Sequence, residues 1–270
     1  KDYLVIDTGV MRLEIRNAFP SWKQPSHPDV FLRCQVADED GWRDLFRGNL
    51  GPFLYMHDQY GNVYDSYSAG PSPQVFVEEA GPLRTCICIR GCHAMIQGQR
   101  FCPYILRVHL FAGKSDLRIY HTFTFDQEPH QIELAGIGIK FPLDLGNNLR
   151  AAVGGEKYAH WANNWEKINF LQADDIHYQV FLNGHQFGQG KTTDGWASLN
   201  GSNGGGVAII KNCWQEYPKG FSLSEEGIDA QIWPDTYNRT LKFTTPFEEP
   251  AIHFSGTRDE EKVKQLLREN

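Results

Sequence analysis

Three groups of side chains have the types and spacing to do chemistry. The first is Arg84 with Arg90, Arg107 with His109, and Arg118 with Tyr120, each pair at even spacing in a strand-like segment. Residues an even number apart share one face of a strand. Segments adjacent in sequence usually pair, so all six are expected on one sheet face. Like charges facing each other repel unless an anion lies between them. Such a face, if concave, is an anion site; the plainer reading is a solvated sheet surface. The second group is YAHWANNWEKINF, with Tyr158, His160, Trp161, Asn164, Trp165 and Glu166. Indole faces stack on the C–H faces of pyranose rings, and paired tryptophans equally anchor loops to a core. The third is NCWQEYPKG, where Asn212, Trp214, Gln215, Glu216, Tyr217 and Lys219 crowd hydrogen-bonding groups behind a strand. Binding groups often sit on loops leaving rigid strands; a turn stiffened by Pro218 is the alternative.

The elements that must position these groups are strands. Tyr104 to Phe125 reads as a hairpin, with Leu106, Val108 and Leu110 on one face and Arg107 and His109 on the other. AGKSD supplies its turn. His121 falls on the apolar face and reads as a satisfied core histidine. Period-two segments recur at 3–16, 30–36, 52–57, 74–79 and 83–91, and again in IELAGIGIKFPL, whose glycines mark close approach of neighbours. Asn183-Gly184 is the strongest hairpin signal. Residues 144–175 lose the alternation and read as a long loop with a short helix. The tail alone is helical in pattern, with Thr257 and Glu260 as a capping box and Val263, Leu266 and Leu267 as its apolar stripe. The expectation is an all-β stacked sandwich over 1–256, followed by a C-terminal helix at 257–270.

The net charge of −7 argues against nucleic acid as a partner. No apolar run reaches the roughly 20 residues of a membrane-spanning helix. The first residues read as strand, so export would imply a leader already removed. Six cysteines without a CxxC pair read as buried thiols, although Cys92 and Cys102 flank a turn and could pair. Two sequons, at Asn200 and Asn238, matter only in a eukaryotic secretory pathway. No phosphate loop, HExxH or G-x-S-x-G is present, and no metal-ligand spacing. No cofactor is expected, with a structural or substrate-bridging Ca2+ left open.

Three stretches, VEEAGPLRTCICIRG, YILRVHLFAGKSDLRIYHTFTF and GGGVAIIKNCWQEYPKGFSLSEEGIDAQIWP, resemble the β-sandwich portion of the exo-rhamnogalacturonan lyase-like proteins. These belong to a wider set of polysaccharide-active enzymes with a mutarotase-like supersandwich. The resemblance implies that fold, a secreted or periplasmic protein, and an acidic polysaccharide or oligosaccharide as partner. Such proteins are usually much longer, so further domains or chains are expected beside this one.

Three functions follow from these readings. β-Elimination on a uronate polymer needs a cation to neutralise the carboxylate, a base for the C5 proton and an acid for the leaving oxygen. Arg107 or Arg118, His109 and Tyr120 fill these roles, with His160 and Tyr217 in reserve. A non-catalytic glycan-binding module needs Trp161, Trp165 and Trp214 exposed. An aldose-epimerase-like enzyme needs His109 and Glu216 facing across a pocket. The expected site lies where the 158–166 and 212–219 loops approach the arginine face.

Overall fold

Alternating apolar residues turn nearly every segment of this chain into strand. The structure, a computed structural model, describes residues 2–19, 22–23, 30–48, 50–68, 70–163 and 165–244. The helix expected at 257–270 lies outside the described residues. In chain order the strands are β1 (Tyr3–Asp7), β2 (Met11–Arg16), β3 (Trp22–Lys23), β4 (Phe31–Asp38), β5 (Gly41–Asp44), β6 (Phe53–Asp58), β7 (Val63–Asp65), β8 (Gly70–Pro71), β9 (Gln74–Ala80), β10 (Arg84–Ala94) and β11 (Arg100–Phe111). They continue with β12 (Leu117–Phe123), β13 (Leu134–Pro142), β14 (Arg150–Val153), β15 (His160–Ala162), β16 (Lys167–Gln172), β17 (Tyr178–Leu182), β18 (His185–Gly190), β19 (Trp196–Gly201), β20 (Gly204–Ile209), β21 (Lys219–Ser224) and β22 (Gly227–Trp233). One turn of 3-10 helix, Asp235–Tyr237, follows β22.

Twelve strands make one long sheet, ordered β12-β11-β10-β7-β6-β13-β22-β21-β16-β17-β18, with β9 also paired to β10. Two four-stranded sheets, β1-β2-β4-β5 and β15-β14-β19-β20, share its core, and β3 pairs with β8. Leu13 and Ile15 of β2 and Phe31 of β4 are buried in one cluster with Ile87, Ile89, Val108 and Leu110 of the long sheet. Ala151, Val153, Ala197 and Leu199 belong to the same cluster, with Phe170, Phe221, Leu223 and Ile228. The fold is therefore an all-β stacked sandwich, one long sheet beneath two short ones. Each large apolar side chain buried there contributes about 1.5–3 kcal/mol.

The hairpin register follows the alternation. Arg107 faces Tyr120 and His109 faces Arg118 across β11 and β12, while Leu106, Val108 and Leu110 point into the core. Asn183 and Gly184 take the positive-φ positions of the β17–β18 turn, at 49° and 82°. The segment 144–175 departs from the expected loop, because β14, β15 and β16 occupy it. Its alternation is hidden because Ala151, Ala152 and Val153 are all small or apolar and all buried. All six cysteines are free and buried, the Cys92–Cys102 pairing included. His121 is not satisfied: its buried Nε2 has no hydrogen-bond partner among the described residues.

Candidate functional site

The register places Arg84, Arg90, Arg107, His109, Arg118 and Tyr120 on one face of the long sheet, the face away from the core. It also places carboxylates among them. Arg107 donates from Nε and Nη2 to Glu78 of β9, at 2.8 and 3.0 Å. Arg84 pairs with Glu79 in the same forked way. The Arg107 guanidinium holds the Glu78 carboxyl down to about 2. Arg90 lies 5.4 Å from the Phe76 ring centroid and Arg118 lies 4.8 Å from that of Phe111. His109 meets the edge of Tyr120, ring to ring at 5.4 Å. For Arg84 and Arg107 the expected anion is thus supplied by β9 itself, while Arg90 and Arg118 have no carboxylate partner among the described residues. The reading of Arg84 and Arg107 as free anion-binding cations is corrected to two exposed ion pairs with β9.

The expected convergence with the two loops does not occur either. Five strand steps separate β10 from β21, roughly 24 Å at the usual strand spacing. The 212–219 loop runs into β21, so His109 and Glu216 do not face each other. Within that loop Asn212 donates to Glu216 at 2.9 Å. Lys219 is buried, its Nζ donating to the backbone carbonyls of Glu216 and Pro218, and burial lowers its pKa. It is a structural lysine rather than a free cation. Trp214 and Tyr217 are partly exposed beside it. Tyr158 and Trp161 are exposed in and before β15 of a short sheet, while His160 bonds Tyr178 through Nε2 at 3.0 Å.

Trp165 and Glu166 do reach a concave site, at the middle of the long sheet. There a groove of about 1160 Å³ crosses β6, β13, β22, β21 and β16. That exceeds the roughly 300–1,000 Å³ of ordinary small-molecule sites and suits a chain-like ligand. Its floor is built by cross-strand rows. One row runs Phe53, Lys140, Asp229, Ser222, Asn169; the next runs Tyr55, Gly138, Gln231, Gly220. A Cβ on Gly138 would collide with the Tyr55 hydroxyl, so glycine is what lets Tyr55 lie across the floor.

Tyr55 Oη donates to Asp229, with both carboxylate oxygens at 3.0 Å, and Gln231 Nε2 donates to the same carboxylate at 3.2 Å. Burial pushes Asp229 up to about 6, against those hydrogen bonds and the charge of Lys140, which pull it down. Burial, then the Asp229 charge, raises Tyr55 well above its ordinary range. His57 sits 5.0 Å from Tyr55, ring to ring, and burial lowers its pKa. The Lys140 ammonium stands 5.6 Å from the Tyr55 ring centroid, with no carboxylate in ion-pair distance among the described residues. Around this floor lie Arg47, Lys167, Glu166, Glu225, Glu226 and Asp235. Opposed pKa shifts gathered in a cleft make the groove the candidate site. Sequence reasoning missed His57, Tyr55, Lys140 and Asp229. The even spacing of Phe53, Tyr55 and His57, and of Asp229 and Gln231, was the available signal.

Fold and groove define a class: an all-β sandwich with a polar groove on the open face of its long sheet. Residues 57–152 match the family model described as the PcRGLX-like protein central beta sandwich domain. The matched stretch runs from His57 in β6 into β14 and includes Lys140 and the arginine face. It bears out the resemblance to a rhamnogalacturonan lyase-like β-sandwich domain. A curated relative, the uncharacterized protein YetA of Bacillus subtilis (strain 168), is 20% identical over 215 residues, covering 58% of this chain and 25% of that protein. The chain thus spans about a quarter of the length of that relative.

Proposed function

We propose that this chain holds an acidic polysaccharide across the groove and cleaves it by β-elimination. The observation that carries the reading is Lys140, a cation with no ion pair among the described residues, on the groove floor beside Tyr55, Asp229 and His57. Lys140 would neutralise the uronate carboxylate and so acidify the C5 proton. His57, kept neutral by burial, would take that proton. The C4–O bond then breaks as the C4–C5 double bond forms. Tyr55, whose proton burial holds in place, would pass it to the leaving oxygen. Asp229 orients Tyr55 through the hydrogen bond it accepts. Trp165 and Phe53 supply flat apolar surface for neighbouring rings. The carboxylates of the groove outnumber its cations, so an acidic chain would be held by directed contact with Lys140 rather than by bulk field.

The partner would be an acidic polysaccharide outside the cytoplasm, in a secreted or periplasmic setting. The scheme needs no cofactor, since Lys140 supplies the charge that Ca2+ would otherwise bring. The test is incubation with a panel of uronate polysaccharides, reading the absorbance of the unsaturated product, with and without a chelator. Product that persists in the chelator and vanishes in Lys140→Ala is the expected result. The exposure of Trp161 and Trp214 favours a second reading, a glycan-binding module without catalysis of its own. Binding at the groove with no rise in absorbance would establish that one instead.

A further inference from the structure

The outer face of the short sheet β15-β14-β19-β20 is as apolar as a core face on one half and polar on the other. Trp161 stands opposite Ala152, Ala152 opposite Ser198, and Ser198 opposite Val207, in one cross-strand row. Ala152 and Ser198 are buried between their larger neighbours. Trp161 and Val207 are each 62% exposed, and Ile209 on the same face is 72% exposed. An outward sheet face normally carries polar residues. The inward residues Ala151, Val153, Ala197 and Leu199 already fill the core, so the outer apolar row is not a register slip.

Arg150 lies on this same outer face, opposite Asn200 and two residues before Ala152. A diagonal neighbour across a strand pair lies about 7–8 Å away, which puts Arg150 beside Trp161. Arg150 is exposed and has no ion pair or hydrogen bond among the described residues. It differs in this from Arg107 and Arg84, which β9 neutralises. An indole face, a free guanidinium and an amide on one flat surface fit a ring that is apolar on one side and carries a carboxylate.

We propose that this face is a second saccharide site, separate from the groove, that takes a uronate-containing oligosaccharide. Trp161 stacks on the ring and Arg150 forks onto its carboxylate. The uronate character of the ligand rests on the reading of the groove; the site itself rests on Trp161 and Arg150. The experiment is calorimetric titration of tri-galacturonate and of maltotriose into the full chain, made in bacterial cells so that Asn200 stays bare. Lys140→Ala serves as the background, removing the groove contact. On that background tri-galacturonate should still bind. Adding Trp161→Ala should weaken both ligands at least about tenfold. Adding Arg150→Ala should weaken tri-galacturonate about tenfold and leave maltotriose within about twofold. Both residues are exposed, and circular dichroism confirms an intact fold. Loss of all binding in Lys140→Ala, or no change on adding Trp161→Ala, overturns the proposal. If Lys140→Ala binds as wild type does while the other two variants respond as stated, the groove reading fails and this site stands.

Discussion

Two regions of the same open sheet face, a few strands apart, carry similar residue types and do different things with them. At the β9–β12 end, Arg84 and Arg107 meet Glu79 and Glu78 in forked pairs, and Arg90 and Arg118 lie over phenylalanines. In the groove, Lys140 has a ring beneath it and no carboxylate in ion-pair reach among the described residues, while Asp229 and His57 are shifted by burial in opposite directions. The difference is in the groups around the cations. At the arginine end Arg84 and Arg107 are neutralised by carboxylates, and Arg90 and Arg118 meet only exposed or half-buried rings. In the groove Lys140 is itself exposed, but its neighbours Tyr55, His57 and Asp229 are buried or half-buried. What distinguishes the groove is the burial of the titratable groups around its cation, not the number of charges.

The sharpest break of this comparison is activity. Removing a general base typically costs about 10²–10⁴-fold in rate. His57→Ala and Lys140→Ala should fall in that range in the unsaturated-product assay, and Tyr55→Phe should follow. His109→Ala and Arg107→Ala should stay within about twofold of wild type. A reversal of the two sets would return the site to the arginine face.

Stability against pH separates the two ends next. Behind the arginine end, His93 is buried and His121 half-buried, with rings 5.5 Å apart, and neither buried Nε2 has a partner among the described residues. His93 donates from Nδ1 to the Cys102 carbonyl at 2.7 Å. Burial lowers His93 to about 4 and His121 to about 3, the latter aided by His93 itself. Below about pH 6.5 an unfolded chain takes up protons that the folded one refuses, so stability falls as pH drops toward those values. Asp229 acts with the opposite sign. Its raised pKa means the folded state holds that proton more tightly, so between about 6 and its unfolded value acidification favours the fold. Urea unfolding at pH 7 and pH 4 should show a net loss of roughly a few kcal/mol. His93→Leu with His121→Leu should flatten that dependence, and Asp229→Asn should steepen it.

The arginine face was legible because alternation states which residues share a face. Arg107, His109, Arg118 and Tyr120 fall together for that reason, and the β17–β18 turn followed from Asn183-Gly184. Alternation does not state what lies on the next strand. The neutralising Glu78 sits on β9, past a bulge between Cys86 and Ile87 that shifts its register. The groove was illegible for a stronger reason. Tyr55 and Asp229 are 174 residues apart, and they meet only because β13 lies between β6 and β22. Such non-local pairing is set by the core as a whole. The glycines of LAGIGIKFP did announce a close approach, and Tyr55 is what approaches Gly138.

The smallest expected effect tests whether the arginine pairs are only surface. A double-mutant cycle on Arg107 and Glu78 isolates their coupling, provided each single change makes no new contact. Exposed ion pairs gain little, because water screens them and both side chains lose freedom. The forked geometry is the one feature that favours a measurable coupling here. The coupling should therefore be small at low salt and vanish near 1 M salt, where the screening length is about 3 Å. Uronate binding should be unchanged by Glu78→Gln, although that substitution frees Arg107. If freeing Arg107 instead created new, salt-sensitive uronate binding, the arginine face would be a site held closed by β9. The two regions would then differ in state rather than in kind.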